Sequence, residues 1–212
     1  MVGDQTSTER MPALQADSLS AAQAAAAAAF AAERGVPVFG PFVPLLRSPD
    51  FMLCASRMGQ YLRYGSALPL RISEFTILIV ARAWSQPVEW AIHHPIALQA
   101  GVAPETAQAL AEGRRPDAMS ADEALAWAFS TELLHDRAVS AATYAATVAR
   151  FGEQGVINLT GINGSYTLLA MTMNVTRTAL PEGATAPLPP RAGADPGPAR
   201  GLFAPSVGKR VV

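Results

Sequence analysis

One stretch of the chain, residues 71–94, places charged and aromatic side chains among apolar ones in the sequence RISEFTILIVARAWSQPVEWAIHH. Burying a charge is costly unless the charge is paired or used, and groups with shifted pKa values cluster at functional sites. Glu89 and His93 are four residues apart, as are Trp90 and His94, so each pair shares one side of a helix. A carboxylate beside an imidazole can hold one ring tautomer and bring the pKa of the ring near neutrality. The stretch therefore predicts a site of proton transfer.

The first half of this stretch, residues 71–84, carries three further charged residues at helical spacing. Arg71, Glu74 and Arg82 are related through Leu78 by steps of three and four, so a helix places all three on one face. A solvated stripe with an Arg71–Glu74 ion pair is one interpretation of this pattern, and a charged wall of a site is the other. The spacing alone leaves both open.

The two motifs together resemble the carboxymuconolactone decarboxylase family, which belongs to the wider AhpD-like (alkylhydroperoxidase D) superfamily. Members of that family carry Arg-x-x-Glu on one helix and Glu-Trp-x-x-His after it, as the chain does from Arg71 to Glu74 and from Glu89 to His93. The similarity extends over most of the chain, and its other matching positions are Gly40-Pro41-Phe42, Gly161, Tyr166, Asn174 and Leu180-Pro181-Glu182-Gly183. The resemblance implies an all-α, AhpD-like helical bundle.

The peroxidase branch of that superfamily differs at two positions. Its glutamate, two cysteines and histidine have a spacing that corresponds here to Glu74, Gln86, Glu89 and His93. Neither glutamine nor glutamate supplies the thiolate and resolving thiol that a thiol peroxidase requires. Cys54 is the only cysteine of the chain and has no second thiol to pair with. Thiol peroxidase activity is therefore not expected.

The resemblance implies a cofactor-free lyase that decarboxylates a small carboxylated lactone or oxo acid in aromatic-compound catabolism. Carbon dioxide leaves, the electrons stay on an enolate or dienolate, and an acid protonates carbon. Together with this chemistry, the resemblance assigns catalysis to His93 as acid, base or oxyanion donor and to Glu89 as its partner or proton carrier. Arg71 or Arg82 would hold a substrate carboxylate, oriented by Glu74. The full set of expected substrate-binding residues is Arg71, Arg82, Glu74, Trp90 and Tyr166.

Several alternatives remain open on the sequence. The same scaffold could carry an isomerase or a hydrolase, because a fold does not determine a reaction, or a non-catalytic small-ligand binder whose charges pair across an interface. Trp90, His94 and Tyr166 could be packing residues. Adjacent histidines point about 100° apart on a helix, so His93 and His94 are not expected to share a metal ion.

Composition limits the class of partner. Half of the 212 residues are hydrophobic, 16% are charged and the net charge is -1, which is unlike the basic footprint of a nucleic-acid binder. No run of about 20 apolar residues predicts a membrane span, and the acidic start lacks the features of a signal peptide. A single cysteine fits a cytoplasmic location. Composition and resemblance together imply a homo-oligomer, a trimer or hexamer by analogy with the family.

The periodicity of the whole chain predicts an all-α domain over residues 18–180 between two flexible arms, residues 1–17 and the Pro/Gly-rich residues 181–212. In the second arm, Leu202 and Phe203 could anchor on a neighbouring subunit. Helices are expected after Ser18 or Ser20, from Asp50, over 71–84, from Pro87 to Gly101 with a kink at Pro95, from Pro104, from Ser120 to His135, from Ser140 to Gly152, and over 156–175.

Overall fold

The computed structural model of the protein describes residues 9–184 and 188–189, and every regular element within them is helical. The all-α prediction is therefore confirmed for this part of the chain. Its helices are α1 Ala21–Arg34, α2 Phe42–Leu45, α3 Pro49–Gln60, α4 Leu70–Ala83, α5 Pro87–Gln99, α6 Pro104–Ala111, α7 Ala121–Asp136 and α8 Ala141–Thr176. Most of the predicted C-terminal arm, including Leu202 and Phe203, lies outside the described residues.

Serine residues begin three of the helices, as the sequence predicts. Ser20 and Ser120 each accept a hydrogen bond from the backbone N–H three residues on, and Gln23 and Glu123 accept one in return from the serine backbone. Ser140 caps α8 in the same way through its hydroxyl. These bonds satisfy backbone donors that the first turn of a helix leaves without partners.

Helix α4 is the centre of the fold, packed against α5, α7 and α8. Its residues from Ile72 to Ala81 are all buried, so this helix has no solvated face over that length. A helix that is buried all round belongs to the core. Glu74 therefore lies inside the protein, while Arg71 and Arg82 lie at the two partly exposed ends of the helix. The interpretation as a solvated stripe with an Arg71–Glu74 ion pair is wrong, because Glu74 is buried and pairs with Arg63 and His93, while Arg71 pairs with Glu123.

Two irregular elements contribute residues to the site described below. A π-helical turn, Tyr61–Gly65, continues α3 and carries Arg63. The connector that the sequence predicts after Gly35 contains the short helix α2, which packs against α3 and α8.

At the N-terminal end of the described chain, the Arg10 backbone N–H donates to the Thr176 carbonyl over 2.8 Å. No helix among the described residues has both the length and the apolar sequence needed to cross a membrane.

Helix α8 contains a break at Gly152, where the sequence predicts one helix to end before another begins. The backbone of Gly152 has φ 71° and ψ 174°, values that only glycine adopts readily. Nothing lies within 4 Å of where its Cβ would be, so a side chain there would meet backbone strain and no steric clash.

Replacing Gly152 by Ala is expected to lower the free energy of unfolding by about 1–3 kcal/mol, because alanine strongly disfavours this conformation. Gly164 supplies the matched control, since it lies in the helical part of α8 and its Cβ would also meet nothing within 4 Å. Gly164→Ala is expected to raise that free energy by about 0.5–1 kcal/mol. Urea unfolding of both variants measures the difference, and equal effects would contradict a backbone origin.

Candidate acid–base site

A buried chain of charged groups connects three elements of the fold. The carboxylate of Glu74 on α4 accepts a hydrogen bond from Arg63 Nε at Oε1, and its Oε2 lies beside Nδ1 of His93 on α5, each over 2.7 Å. Glu74 is fully buried, and the side chains of Arg63 and His93 are only 9% and 8% exposed. Bonds of this kind to an ionised group are stronger than bonds between neutral groups. The two hydrogen bonds of Glu74 therefore hold the His93 ring in a fixed orientation.

The protonation states follow from the surroundings of each group. Burial alone would raise the pKa of Glu74, but the hydrogen bond and charge of His93 and the charge of Arg63 outweigh burial and lower it. Burial lowers the pKa of His93, against the opposing effect of Glu74 and with that of Arg63 and Arg34. At neutral pH Glu74 is thus an anion and His93 a neutral ring. Nδ1–H then donates to Glu74, which leaves Nε2 with a lone pair.

A small cavity lies against this histidine. It has a volume of about 40 Å³, and the residues that line it include His93, Arg63, Arg34, Tyr166, Phe39 and Phe42. The Tyr166 ring on α8 meets the His93 ring edge-on, with 5.0 Å between ring centres and 90° between planes. Burial raises the pKa of the Tyr166 phenol far above its ordinary value, so its hydroxyl stays protonated and can donate a hydrogen bond. The cavity joins a base, a neutral hydroxyl and two cations.

Arg34, at the end of α1, is the second cation. Its Nε and Nη2 donate to the hydroxyl and carbonyl oxygens of Ser56, each over 3.1 Å. The guanidinium also lies 5.4 Å from the ring centre of Phe30 and 5.1 Å from that of Phe42. These contacts direct Arg34 at the cavity, although no carboxylate forms an ion pair with it among the described residues. Burial lowers its pKa, and the nearby charge of Arg63 adds to this effect.

Arg34 and Arg63 were not among the residues predicted from the sequence. Each is a single arginine near the end of a helix with no motif around it, and such positions are ordinarily solvated. The only signal in the sequence is the apolar context of Arg63, which follows Tyr61 and Leu62. Their roles depend on how α1 and the π-helical turn meet α5 and α8, which local spacing does not determine.

The predicted pairing of Glu89 with His93 is wrong. Glu89 is buried, but neither of its carboxylate oxygens has a hydrogen-bond partner among the described residues. Four-residue spacing permits contact within a helix without enforcing it, and here Glu74 reaches His93 from the neighbouring helix α4. Burial raises the pKa of Glu89 well above its usual 4.5, so the carboxyl is favoured in its neutral form. Glu89 is not among the residues that line the cavity.

Arg71 and Arg82 are not among the residues that line the cavity. Arg71 donates from Nε to Glu123 Oε1 over 3.0 Å, and its Nη2 lies 2.8 Å from Oε2 of the same residue. Arg82 donates from Nη1 to the Pro189 carbonyl over 2.7 Å and lines a separate groove. Glu74 is instead bonded to Arg63 and His93. The expectation that Glu74 orients either arginine is thus wrong for both.

The remaining predicted residues divide between site and core. Tyr166 lines the cavity, whereas Trp90 is a core residue that stacks on His94 with 5.6 Å between ring centres. Gln86 caps α5 by accepting from the Val88 N–H over 2.7 Å. Cys54 is exposed and free. Among the residues described here, no group of three or more His, Cys, Asp or Glu side chains is placed to hold a metal ion.

Comparison of the chain with protein-family models, with curated protein sequences and with solved structures finds no significant match in any of the three. Its described residues define an all-α protein with a buried Arg63–Glu74–His93 arrangement beside a small cavity.

Proposed function

We propose that the protein is a cofactor-free acid–base enzyme, a decarboxylase-like lyase that acts on a small carboxylated lactone or oxo acid. The observation that carries this proposal is the Arg63–Glu74–His93 chain, which ends at a cavity also lined by Arg34 and Tyr166. A decarboxylase of this kind needs cations for an enolate oxygen and an acid for the carbon. The resemblance to the carboxymuconolactone decarboxylase family points to the same chemistry.

The proposed binding residues are the two arginines and the tyrosine. Arg34 and Arg63 give the cavity a positive potential that favours a substrate anion, while the Tyr166 hydroxyl supplies a neutral donor. When the carboxylate leaves as carbon dioxide, its bonding electron pair becomes the enolate. The negative charge then moves from the leaving carboxylate to the enolate oxygen. Cations fixed near that oxygen stabilise the transition state more than the bound substrate, which is the condition for catalysis.

His93 is the proposed proton donor, although its ring is neutral before substrate binds. A substrate anion in the cavity places a negative charge next to the ring and raises the pKa of His93, as Glu74 already does from the other side. His93 then takes up one proton from solvent and delivers it from Nε2 to the enolate carbon. The overall reaction consumes one proton and the carboxylate and yields carbon dioxide and the protonated product, so atoms and charge balance.

The size of the cavity sets a condition on substrate entry. A volume of about 40 Å³ has room for a few water molecules or for one carboxylate group, and a whole lactone is larger. Phe39, Pro41 and Phe42 form one wall of the cavity and lie in and around the short helix α2. Substrate entry therefore requires the cavity to widen, and we propose that this segment moves outward. Such motions commonly accompany the closure of active sites.

The test is release of carbon dioxide from carboxymuconolactone by the purified chain in the presence of a metal chelator. His93→Gln is expected to lower the rate by at least about 100-fold, because general acid–base groups contribute factors of that order. The same variant should lose the proton uptake on binding of a non-reactive carboxylate analogue, measured by calorimetry in buffers of different ionisation enthalpy. Absence of turnover by the unaltered chain would contradict the lyase proposal.

A second candidate, an isomerase, is favoured by the neutral state of His93. A neutral ring with a free Nε2 lone pair can remove a proton next to a carbonyl and return it at another carbon, with no loss of carbon dioxide. Exchange of substrate hydrogen for solvent deuterium without release of carbon dioxide would distinguish this reaction from decarboxylation.

The proposal also includes a homo-oligomer, for which Ile157 and Val175 on α8, 68% and 62% exposed, offer apolar surface.

A further inference from the structure

A second pocket lies on the other side of one wall of the His93 cavity. It has a volume of about 260 Å³, and Phe39 lines both the pocket and the cavity. The rest of its lining comes from the N-terminal end of the described chain, from α2 and the residue before it, and from the segment after α8. A side chain that lines two neighbouring spaces lies between them. Phe39 is therefore a partition between the closed cavity and this pocket.

The Phe39 side chain is held by packing. Its partly exposed ring meets the rings of Phe30 and Phe42 close to edge-on, with 6.0 and 5.9 Å between ring centres. The residue precedes α2 and belongs to no helix, and Gly40 after it has φ 51°, a conformation that favours glycine. Exposed side chains change rotamer rapidly, and a rotation here would break no helical hydrogen bond. The ring can therefore swing aside while the fold stays intact.

The cavity on one side of Phe39 is suited to a carboxylate. Among the described residues, no hydrogen bond engages Nη1 of Arg34 or either Nη atom of Arg63, and both residues line the cavity. Their two positive charges face one carboxylate, that of Glu74, which leaves an excess of one positive charge. Guanidinium groups with free N–H donors bind carboxylates strongly. A volume of about 40 Å³ admits that group and excludes a ring attached to it.

The pocket on the other side is suited to the rest of such a molecule. Ala13, Val43 and Ala179 give it an apolar lining, and Thr178 adds one hydroxyl. The carboxylate of Glu9 also lines it, but its Oε1 accepts a hydrogen bond from the Ala179 backbone N–H over 3.2 Å. Ala13 and Ala179 are exposed, so the pocket reaches the surface. Ligand sites typically combine a mainly apolar lining with a few placed polar groups.

We propose that Phe39 is the gate of the site and that the pocket behind it binds the ring of a carboxylated substrate. When the Phe39 ring swings aside, the cavity and the pocket become one space. The substrate carboxylate then lies against Arg34 and Arg63, and its ring lies in the pocket. This inference rests on the proposed function for the use of the cavity. It adds a second subsite and a specificity-determining residue, and it limits the substrate to a compact ring that carries a carboxylate.

Titration of the full chain with benzoate, benzamide and formate, followed by NMR, tests the proposal. Benzoate is expected to bind with a Kd on the order of 1 mM and to shift the backbone N–H signals of Gly40 and Ala179. Benzamide, the neutral molecule of the same shape, should bind at least about tenfold more weakly, because it lacks the charge that the arginines attract. Formate fits the cavity alone, so it should bind without shifting those two signals.

Substitutions separate the pocket from the cavity. Ala179→Leu fills the pocket from an exposed position and should raise the Kd of benzoate by about tenfold or more, while the Kd of formate stays unchanged. Ala146→Leu, at an exposed position of α8 that lines neither space, is the matched control and should change neither Kd. Phe39→Ala removes the partition and should lower the Kd of benzoate by about tenfold, because binding no longer requires a minor open state.

Equal binding of benzamide and benzoate, or an unaltered benzoate Kd in both Ala179→Leu and Phe39→Ala, would overturn the inference. Release of carbon dioxide tests the proposed function separately. If the lactone is decarboxylated and Ala179→Leu leaves its KM unchanged, the lyase stands and the pocket assignment fails. If the lactone is not decarboxylated but the variants change benzoate binding as expected, the pocket assignment stands and the lyase fails.

Discussion

Replacing Glu74 by Gln is expected to lower the free energy of unfolding by about 3–5 kcal/mol and to reduce the proposed activity by a factor on the order of 1,000. The substitution removes one negative charge and changes the shape of the side chain very little. It leaves the 9% exposed Arg63 guanidinium without its carboxylate. A buried charge that loses its partner keeps its full cost of desolvation, and this term dominates the loss.

Glu123 supplies a matched control on the same core. Its side chain is 1% exposed, as buried as that of Glu74, but its partner Arg71 is 38% exposed and can be hydrated without a carboxylate. Glutamine at position 123 can also keep the capping box with Ser120. Glu123→Gln is therefore expected to cost about 1 kcal/mol or less. Equal losses for the two variants in urea unfolding would show that burial of the arginine is not the cause.

The pH dependence of the free energy of unfolding gives an independent test of the role of Glu74. The pKa of Glu74 is lowered below 4.5 in the folded protein, so the unfolded chain binds more protons at acid pH. The stability that Glu74 contributes is present above pH 4.5 and is lost as the pH falls through the folded pKa. Glu74→Gln should lose this part of the acid destabilisation, which urea unfolding between about pH 3 and pH 6 would measure.

The positions of the helices could be predicted from the sequence because their signals are local. Serine caps, the proline at the start of α5 and the left-handed Gly35 after α1 each act within one turn. The burial of α4 was harder to predict. Its charges at Arg71 and Arg82 are consistent with an amphipathic helix, and only the packing of three other helices around it shows that the side opposite its apolar face is also covered.

The site was predicted in part. His93 and Tyr166, which the sequence analysis placed at one site, both line one cavity, but the carboxylate beside His93 comes from α4. Spacing within a helix could identify Glu89 as a candidate partner of His93. It could not show that Glu74, which is 19 residues from His93 along the chain, is the partner instead. The place of Arg34 and Arg63 at the cavity could not be predicted for the same reason. Contacts between helices depend on how the helices cross, and no local pattern encodes that crossing.

Replacing Glu89 by Met is expected to raise the free energy of unfolding by about 1–3 kcal/mol at neutral pH. Glu89 is buried with both carboxylate oxygens lacking hydrogen-bond partners among the described residues, so its burial costs stability with no compensating contact. Methionine has a similar length and no unpartnered polar oxygens to desolvate. Glu89→Gln is the matched control, because it abolishes titration but still buries a polar group, and it should stabilise the protein less. Urea unfolding of both variants measures the difference.

The pH profile and the activity together decide what Glu89 does. Because its folded pKa lies well above 4.5, the folded state holds a proton that the unfolded state has released, and stability falls as the pH rises from 4.5 towards the folded pKa. Both variants should lose this decline. If Glu89 carries a proton to the site, Glu89→Met will be more stable and less active, since functional groups often lower stability. Unchanged turnover in a stabilised Glu89→Met variant would restrict the acid–base chemistry to His93, Glu74 and Arg63.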